Sequence, residues 1–373
     1  MKNAIRVLHI NCNYIGTTLH QLMIEHLDAL GYNNQVFVPT YDKKLAVIKP
    51  NENVCVSVCF HKWDRIIFDY KQQKIKKGIE TQIEVADFEL IHAYTLFTDG
   101  NCARKLSKKY GIPYVVAVRN TDVNDFFRLM PHLRRRGVRI IRDAAAVFFL
   151  SEAYRNQVFE KYIPKKYWTE IEEKTYIIPN GIDEFWFENV PVIDQSIDMR
   201  SIKLVYAGRI DKNKNIPTTQ NAMEILRTQG YETTLSVVGK IEDEKEYRVI
   251  EKDPFTTCYP AMPKENLIHI YRDADIFVMP SFTESFGLVY AEAMSQGLPV
   301  VYSKGQGFDK QFEEGVVGYH VSADNPEDVA DGIKRVIDHY YDIKKNVVSA
   351  AREFSWTKLI NKYDQIYKTI VTR

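Results

Sequence analysis

The amino-acid sequence predicts an α/β protein made of two doubly wound parallel sheets. Its 373 residues suffice for two domains of ordinary size. Short apolar runs alternate with amphipathic stretches at helical spacing, which is typical of buried parallel strands joined by helices. This alternation occurs twice, before and after a polar, acid-bearing segment at residues 183–200. We therefore expect two similar domains joined by that linker.

The first series of elements opens with a strand at residues 4–10 and a helix at residues 18–30. The helix is predicted because Leu19, Met23 and Leu27 fall on one face and Gly31 is suited to end it. Apolar runs predict further strands at residues 35–39, 54–59, 89–93, 113–118, 145–150 and 176–179, with helical patterns at residues 99–110 and 152–162.

The second series repeats the same alternation. It predicts strands at residues 203–207, 234–239, 275–279 and 299–302, and helices at residues 217–228, 286–296, 326–340 and 356–371. Ligands of open α/β sheets bind at the carboxyl ends of the strands. We therefore expect the two sets of strand ends to face a central cleft.

Composition and charge narrow the function classes. The chain carries 50 Lys and Arg against 49 Asp and Glu, a formal net charge of +1, which argues against a general nucleic-acid binder. No apolar run approaches the roughly 18 residues of a membrane span, and the N-terminus is typical of a first strand rather than a signal peptide. Five cysteines without a CxxC pair fit a reduced setting. We expect a cytoplasmic protein.

The most informative stretch is PSFTESFGLVYAEAMSQGLPVVYS, in the second series. A strand ends there, a short loop carries Glu284, and a helix that contains Glu292 is predicted to begin near Phe286. The first turn of a helix leaves backbone N–H groups, here those of Phe286, Gly287 and Leu288, available to an anion such as phosphate. The two carboxylates are suited to accept hydrogen bonds from pairs of sugar hydroxyls.

This stretch resembles the GT-B glycosyltransferases of family 4, the group 1 type, which use nucleotide-sugar donors and retain anomeric configuration. The resemblance lies in two Glu residues separated by seven others, in SFGL and in the following GLPVV. It implies two facing Rossmann-like domains, the second of which binds the donor. It also implies that Glu284 contacts the donor sugar, that Glu292 binds the ribose hydroxyls, and that the amides at residues 286–288 meet the sugar and diphosphate.

A second match, YAGRIDKNKNIPTTQNAMEIL, opens the predicted donor-binding domain at residues 201–355. Gly208 ends a strand, Arg209 follows it, and Lys214 comes five residues later. The family places an Arg and a Lys at this spacing on the donor diphosphate. The physical reason is that fixed cations stabilise the negative charge that builds on the leaving group.

Weaker matches extend the resemblance over nearly the whole chain. NCNYIGTT, after the first strand, corresponds to the family's glycine-rich phosphate loop, of which only Gly16 remains. IPNGID, ending at Asp183, matches a signature near the hinge. WTKLINKYDQIYKTIV resembles the family's C-terminal helix. The resemblance therefore implies that residues 356–373 pack back on an acceptor-binding domain at residues 1–182.

The sequence departs from the family at the end of the fifth predicted strand, where Arg119 stands in place of an expected His. Arg119 either holds a phosphate of the donor or acceptor, or pairs structurally with Asp122. Asn120 lies between them. At another strand end, His92 and Tyr94 point to the same face. They are candidate acceptor-side residues, and the alternative is that they belong to the core and its rim.

Two further signals are weighed against structural alternatives. Asp273-Ala274-Asp275 has the form of a metal-binding DxD, but it joins a helix end to a buried strand, so we expect a structural role. No two His have metal-ligand spacing and no GxGxxG follows the first strand, so we expect neither a metal nor a cofactor beyond the nucleotide-sugar co-substrate.

An Arg-rich stretch, HLRRRGVRIIR, is either a solvated helix face or a contact for anionic lipid or a lipid-diphosphate acceptor. Its basic residues are Arg134, Arg135, Arg136, Arg139 and Arg142.

The sequence thus predicts a retaining glycosyltransferase that moves a sugar from a nucleotide diphosphate sugar to a carbohydrate or lipid-linked acceptor. We expect this reaction to serve bacterial surface polysaccharide or glycoconjugate biosynthesis. Two alternatives stay open: a nucleotide-sugar 2-epimerase of the same architecture, and a non-catalytic sugar-nucleotide-binding protein.

Overall fold

A computed structural model describes residues 4–16, 18–45, 51–191 and 198–372. The chain divides into two compact units. Unit 1 comprises Met1–Leu150, Tyr154–Pro179 and Trp356–Arg373, and unit 2 comprises Ser151–Ala153 and Asn180–Ser355. The main division therefore falls at residue 179 rather than at residue 182. Residues 192–197 of the predicted linker lie outside the described residues.

Unit 1 is built on a seven-stranded sheet in which every neighbouring pair is parallel. Its strands are β1 Arg6–Ile10, β2 Asn33–Thr40, β3 Val54–Val58, β4 Leu90–Ala93, β5 Tyr114–Val118, β6 Ala146–Phe149 and β7 Thr175–Ile177. Their spatial order is β3-β2-β1-β4-β5-β6-β7. Successive residues of a strand point to opposite faces, so Leu8 joins one apolar core cluster and Val7 the other.

Helices cover the faces of this sheet. They are α1 Leu19–Ala29, α2 Phe68–Gln82, α3 Thr98–Tyr110, α4 Pro131–Asp143, α5 Glu152–Tyr162 and α6 Trp168–Glu172. A π-helical turn at Asp122–Phe127 lies between β5 and α4.

Unit 2 repeats the architecture with six parallel strands. They are β8 Ser201–Ala207, β9 Glu232–Gly239, β10 Thr256–Pro260, β11 Ile276–Met279, β12 Val300–Ser303 and β13 Gly318–Val321. Their order is β10-β9-β8-β11-β12-β13. The helices are α7 Phe185–Glu188, α8 Ile216–Thr228, α9 Glu244–Ile250, α10 Lys264–Arg272, α11 Leu288–Ser295, α12 Pro326–Asp338 and α13 Tyr340–Ala351.

The chain returns to unit 1 with α14, Trp356–Val371. This helix packs along α1 and buries Leu359, Tyr363 and Tyr367. Tyr32 Oη donates a hydrogen bond to Asp364 Oδ1 at 2.8 Å. A single apolar face therefore completes the core of unit 1 from the far end of the sequence.

The α/β fold class is confirmed, and three of the elements that sequence analysis missed, α2, β10 and β13, have weak apolar patterns. Helix α2 buries few apolar side chains, and strands β10 and β13 lie at sheet edges with half-exposed residues. The helix predicted at residues 326–340 ends earlier, because His339 leaves helical geometry before α13 begins. Within the described ranges, no helix combines the length and apolarity needed to cross a bilayer.

A neutral histidine lies inside the sheet of unit 1. His9 is fully buried on β1, with Nε2 2.8 Å from Asn34 Oδ1 and Nδ1 3.1 Å from Tyr94 Oη. Because the amide oxygen only accepts, Nε2 carries the proton. Burial disfavours the imidazolium and lowers the pKa of His9 to about 4.

We expect the contribution of His9 to the stability of unit 1 to fall as the pH falls from about 6.5 towards 4, because in this window the unfolded chain binds a proton at His9 that the folded chain excludes. Above the pKa that His9 has in the unfolded chain, its contribution to the free energy of unfolding is fully present. Its loss through a folded pKa of about 4 amounts to roughly 3 kcal/mol at most. Hydrogen exchange of the β1 and β4 amides at several pH values, corrected for intrinsic rates, measures it.

His9→Gln should lessen this pH dependence, whereas His132→Gln, at an exposed histidine, should leave it unchanged. Equal pH dependence in wild type and His9→Gln would contradict the assignment.

Candidate functional site

Two loops of unit 2 lie side by side at the carboxyl edge of its sheet. The first, residues 208–215, follows β8, and the second, residues 280–287, follows β11. Because β8 and β11 are neighbouring parallel strands, the loops after them emerge at the same edge. The N–H of Phe282 donates to the carbonyl of Asn213 at 2.9 Å, which joins the two loops directly.

A buried ion pair also links these loops. Lys214 Nζ lies 2.5 Å from Glu284 Oε2, and the two side chains are only 12% and 11% exposed. Glu284 Oε1 accepts the N–H of Ser285 at 2.9 Å. The fold thus brings together two predicted donor-site residues that are 70 positions apart in the chain.

Three amide side chains that sequence analysis missed hold the loops in place. Asn213 Nδ2 and Asn215 Nδ2 donate to main-chain carbonyls of the second loop at 2.8 and 3.1 Å. Gln306 Oε1 accepts the N–H of Glu284 at 3.0 Å. Asn215 has φ 55°, a left-handed conformation that Asn tolerates better than most residues. The NKN sequence around Lys214 was therefore an available signal for a tight turn.

Arg209 lies at the start of the first loop with its head group accessible. Its side chain is 63% exposed, and Nη2 lies 3.6 Å from Asp211 Oδ2. Gly208, with φ +152°, has no room for a side chain, because an added Cβ would lie 2.8 Å from Tyr206 Oη. That hydroxyl donates to the carbonyl of Arg209 at 2.6 Å. The backbone at Arg209 is fixed while its guanidinium faces solvent.

Helix α11 begins later than predicted. Its first residue is Leu288 and its N-cap is Gly287, so the expected start near Phe286 is wrong by two residues. Gly287 has φ +76°, and an added Cβ would lie 2.4 Å from the Tyr290 ring. Phe286 is buried, with its ring centroid 5.3 Å from that of Phe354. Gly287 and Leu288 keep their places at the helix start, whereas Phe286 precedes it.

Glu292 lies on α11 beside a second ion pair. Lys264 Nζ contacts Asp183 Oδ2, and Asp183 Oδ1 accepts the N–H of Phe185 at 2.9 Å. Burial, reinforced by the negative charge of Asp183 and opposed by Lys264, raises the pKa of Glu292 to about 7. The IPNGID stretch thus ends at a carboxylate that acts on Glu292, a link that sequence analysis missed.

In unit 1, Arg119 follows β5, and its Nε donates to the carbonyl of Tyr94 at 3.3 Å. Asp122 is fully buried, and burial raises its pKa to about 6. Its carboxylate accepts three backbone N–H groups at 2.9 to 3.1 Å, those of Leu96, Phe97 and Arg119. The prediction that Asp122 lies on the acceptor side is therefore wrong, because it braces the backbone from inside.

His92 and Tyr94 share a face, as predicted, but that face belongs to the core. Both are buried, their ring centroids are 4.2 Å apart, and His92 Nδ1 lies 2.5 Å from Tyr367 Oη on α14. The prediction that they line an acceptor cleft is wrong. The alternative of core residues is confirmed, because α14 covers them.

A missed histidine lies near Arg119. His20, in the first turn of α1, is 7% exposed, with its ring centroid 4.8 Å from that of Tyr94. Neither ring nitrogen has a hydrogen-bond partner in the part of the chain that the structure describes. Burial, together with the positive charge of Arg119, lowers the pKa of His20 well below its usual value.

Two other predicted site residues, Gly16 and Asn120, follow the carboxyl ends of β1 and β5 in unit 1. Gly16 is exposed at the end of a 3₁₀ turn, and an added Cβ would meet nothing within 4 Å. Thr17 of the predicted phosphate loop lies outside the described residues. Asn120 is half-buried, and its Oδ1 accepts from Asn124 Nδ2 at 2.5 Å.

The Asp273-Ala274-Asp275 sequence is structural, as expected. Asp275 Oδ2 accepts the N–H of Lys203 at 2.8 Å, and Asp273 pairs with the Lys203 ammonium at 2.9 Å. Both carboxylates fix the start of β8 beside β11.

One group of side chains within the described ranges has the spacing of metal ligands. Asp309, Glu314 and His320 place ligand atoms within 4.8 Å of one another. His320 Nδ1 lies 3.0 Å from Asp309 and 3.3 Å from Glu314, and Asp309 also accepts the N–H of Gly305 at 2.6 Å. These contacts tie down the segment between β12 and β13.

The two parallel-sheet units and the charged loops at one sheet edge define a protein of the GT-B glycosyltransferase class. Two family models match the chain: Glycosyltransferase Family 4 over residues 16–184, and Glycosyl transferases group 1 over residues 193–354. The chain belongs to this family of glycosyltransferases.

Individual relatives have low sequence identity to this chain. The D-inositol 3-phosphate glycosyltransferase of Pseudarthrobacter chlorophenolicus is 27% identical over 271 residues, which span 67% of this chain and 63% of that relative. The chain therefore covers less than two thirds of that relative's length.

Two solved structures share the fold. Sucrose-phosphate synthase from Thermosynechococcus elongatus superimposes with a TM-score of 0.78 at 18% identity, and the superposition covers 99% of this chain and 99% of that one. Anabaena HepE in complex with UDP and glucose has a TM-score of 0.69 at 16% identity, over 98% of this chain and 100% of that one.

Gly287→Ala should destabilise unit 2, because the new Cβ combines an unfavourable φ, at a cost of about 1–3 kcal/mol, with a clash against Tyr290. Gly230→Ala is the matched control. Its φ is +87°, but the nearest atom to the added Cβ is 3.7 Å away. Thermal unfolding should show a clearly lower midpoint for Gly287→Ala than for Gly230→Ala, and equal midpoints would argue against a packed helix start.

Proposed function

We propose that this protein transfers a sugar from a nucleotide diphosphate sugar to a carbohydrate or lipid-linked acceptor. The observation that carries the proposal is the Lys214–Glu284 pair, a cation and a carboxylate 2.5 Å apart between the loops after β8 and β11. A nucleotide sugar presents a diphosphate beside sugar hydroxyls, so it offers a partner to each charge. Family membership supports the same reaction class.

Arg209, Lys214 and the amides at the start of α11 are proposed to hold the diphosphate. Arg209 is exposed, so its guanidinium reaches a ligand without leaving a buried contact. A guanidinium binds phosphate oxygens in pairs, and an ammonium acts as a point charge. These cations stabilise the charge that builds on the leaving group. They take the part that a metal ion plays in other transferases, so we propose catalysis without a metal or further cofactor.

Donor binding is proposed to exchange the partners of the buried pair. In the structure each charge neutralises the other, because an unpaired buried charge is costly. As the diphosphate approaches Lys214, the carboxylate of Glu284 turns to accept hydrogen bonds from sugar hydroxyls. Both charges stay paired throughout, so binding incurs little of the free-energy cost of leaving a buried charge unpaired.

Glu292 is proposed to accept hydrogen bonds from the two ribose hydroxyls. It lies eight residues after Glu284, in the second turn of α11, and different charged groups, Asp183 and Lys264, act on it. A carboxylate accepts both hydroxyls, whereas a protonated carboxyl is a poorer acceptor. A pKa near 7 therefore makes ribose binding sensitive to neutral pH.

The finer assignments rest on resemblance. We propose a UDP-sugar donor, supported by the UDP and glucose in the HepE structure, and retention of configuration, as the family resemblance implies. Arg119, with Asn120 and Gly16, is proposed to contact a phosphate or the acceptor. We place the reaction in bacterial surface glycan synthesis in the cytoplasm. The five cysteines are all unpaired, which fits a reducing compartment.

Replacing Arg209 by Ala, or Glu284 by Gln or Ala, should lower sugar transfer by about a hundredfold or more, since each removes a group aimed at the reacting diphosphate or sugar. Thermal shifts with UDP-, GDP- and ADP-sugars identify the donor first, because a ligand at 100 times its dissociation constant adds about 2.7 kcal/mol of stability. Release of nucleoside diphosphate then gives the rate, and the anomeric proton of the product shows whether configuration is retained.

Lys212→Ala, at an exposed lysine of the same loop, is the control and should keep the wild-type rate. If Arg209→Ala and Glu284→Ala both transfer at the wild-type rate, the proposal is wrong. An epimerised sugar formed without acceptor would favour the epimerase, and donor binding with no turnover would favour the binding protein.

Nucleotide affinity should rise by about five- to tenfold between pH 6 and pH 8, because the share of Glu292 in the charged, hydroxyl-accepting form rises through a pKa of about 7. Calorimetric titration with UDP at several pH values measures this. Glu292→Gln should bind UDP more weakly than wild type, and its affinity should not show the rise that Glu292 causes. The phosphate of UDP also titrates, but it does so equally with both proteins, so its effect cancels in the ratio of the two affinities. Superimposable profiles would refute the assignment.

A further inference from the structure

Unit 1 contains a strongly basic pocket beside α4, which we call the α4 pocket. Its volume is about 330 Å³, and it is lined by α4, by Tyr162 at the end of α5, and by Pro164, Lys166 and Tyr167. Arg136 belongs to the Arg-rich stretch but pairs with Asp69 and lies outside the pocket. The basic lining residues are Arg134, Arg135, Arg139, Arg142 and Lys166.

Within the described part of the chain, most of this positive charge has no carboxylate beside it. Arg142 Nε lies 3.3 Å from Glu170 Oε2. Arg134 donates to two main-chain carbonyls at 2.6 and 3.1 Å, which leaves its charge uncompensated. Arg135 and Arg139 are exposed, and neither makes an ion pair or a side-chain hydrogen bond with any residue in the described ranges. The pocket is therefore a concentration of positive charge that the described residues leave largely without a counter-charge.

Two tyrosine rings orient part of this charge. Arg134 Cζ lies 5.2 Å from the Tyr162 ring centroid, and Arg142 Cζ lies 3.8 Å from that of Tyr167. Stacking against a ring restricts the guanidinium plane, so less rotamer entropy is lost when it binds a ligand. The pocket is thus partly organised in advance.

The α4 pocket follows α4 along its length, from the first turn of the helix to the last. Helix α4 runs from the end of β5 towards the start of β6, so Arg142 is close to Ala146, where β6 begins. Lys174, one residue before β7, donates to the carbonyl of Arg142 at 2.5 Å. The pocket extends from there along α4 to Arg134, eight residues or about 12 Å away. Arg119, by contrast, follows the carboxyl end of β5.

We propose that the α4 pocket binds a phosphoryl group, carried either by a soluble diphosphate or by a lipid headgroup. Guanidinium forks match pairs of phosphate oxygens. Four arginines and a lysine, with one carboxylate partner among the residues that the structure describes, suit an anion of two or more charges. A volume of about 330 Å³ is at the low end for ligand pockets, which fits a diphosphate or a headgroup rather than a polymer.

Charge reversal of Arg135 and Arg139 tests this site, because both side chains are exposed and neither makes an ion pair or a side-chain hydrogen bond within the described ranges. The matched control reverses Lys43 and Lys77, two exposed lysines of unit 1 outside the pocket, and changes the net charge equally. In calorimetric titration with inorganic pyrophosphate, R135E/R139E should bind at least about tenfold more weakly than wild type, and K43E/K77E should bind nearly as wild type does. Repeating the series with Arg209→Ala removes binding at the proposed donor site.

Sedimentation with vesicles distinguishes the two sources of the phosphoryl group. Vesicles of phosphatidylcholine alone are compared with vesicles that also contain phosphatidic acid. If phosphatidic acid makes wild type and K43E/K77E sediment but not R135E/R139E, the pocket takes a lipid headgroup. If only pyrophosphate separates the variants, the ligand is soluble.

The proposal is overturned if R135E/R139E and K43E/K77E respond alike to both probes, since the attraction would then depend on net charge alone. Neither probe requires sugar transfer. The outcome is therefore independent of the proposed function.

Discussion

The Lys214–Glu284 ion pair is the contact on which the charged edge of unit 2 depends. Its charges are almost wholly withdrawn from water, and either one alone would carry a desolvation cost of several kcal/mol. Removing either partner would leave the other charge buried and unpaired, so the side chains of the loops after β8 and β11 depend on each other for neutralisation. Asn213, Asn215 and Gln306 secure the same arrangement through the backbone, so the pair does not fix the loops unaided. Arg209 remains the accessible cation beside this fixed frame.

The two glutamates of one motif have different electrostatic surroundings, which is why they suit different tasks. Glu284 faces an ammonium group that neutralises it directly. Glu292 is influenced by Asp183 and Lys264 in opposite directions, so burial dominates and raises its pKa to about 7. A carboxylate neutralised by a neighbouring cation is ready to exchange that partner for a ligand. A carboxylate whose pKa burial raises to about 7 changes its charge around neutral pH, so its strength as a hydrogen-bond acceptor depends on pH.

Sequence patterns predicted the fold wherever burial makes both faces of a strand apolar, as in β1, β5 and β11. They missed β13, an edge strand with two half-exposed residues. At the site, motif spacing identified Lys214 and Glu284 separately but not their pairing, which depends on β11 lying next to β8 in the sheet. His92 was misjudged because its partner Tyr367 lies 275 residues away on α14. Local periodicity does not indicate which strand end a distant helix covers.

Helix α4 has an apolar face that packs against unit 1 and an outer face that carries arginines. Its inner face buries Leu133, Val138 and Ile141, and an added Cβ at Gly137 would lie only 2.7 Å from the Phe97 ring, so a glycine allows the ring to pack close. This face accounts for the attachment of the helix to unit 1. The outer arginines add little to that attachment, because exposed charges contribute weakly to stability and like charges repel one another. Folding alone therefore does not explain a basic cluster that has one carboxylate beside it among the described residues, and the anionic ligand that we propose would supply the missing counter-charge.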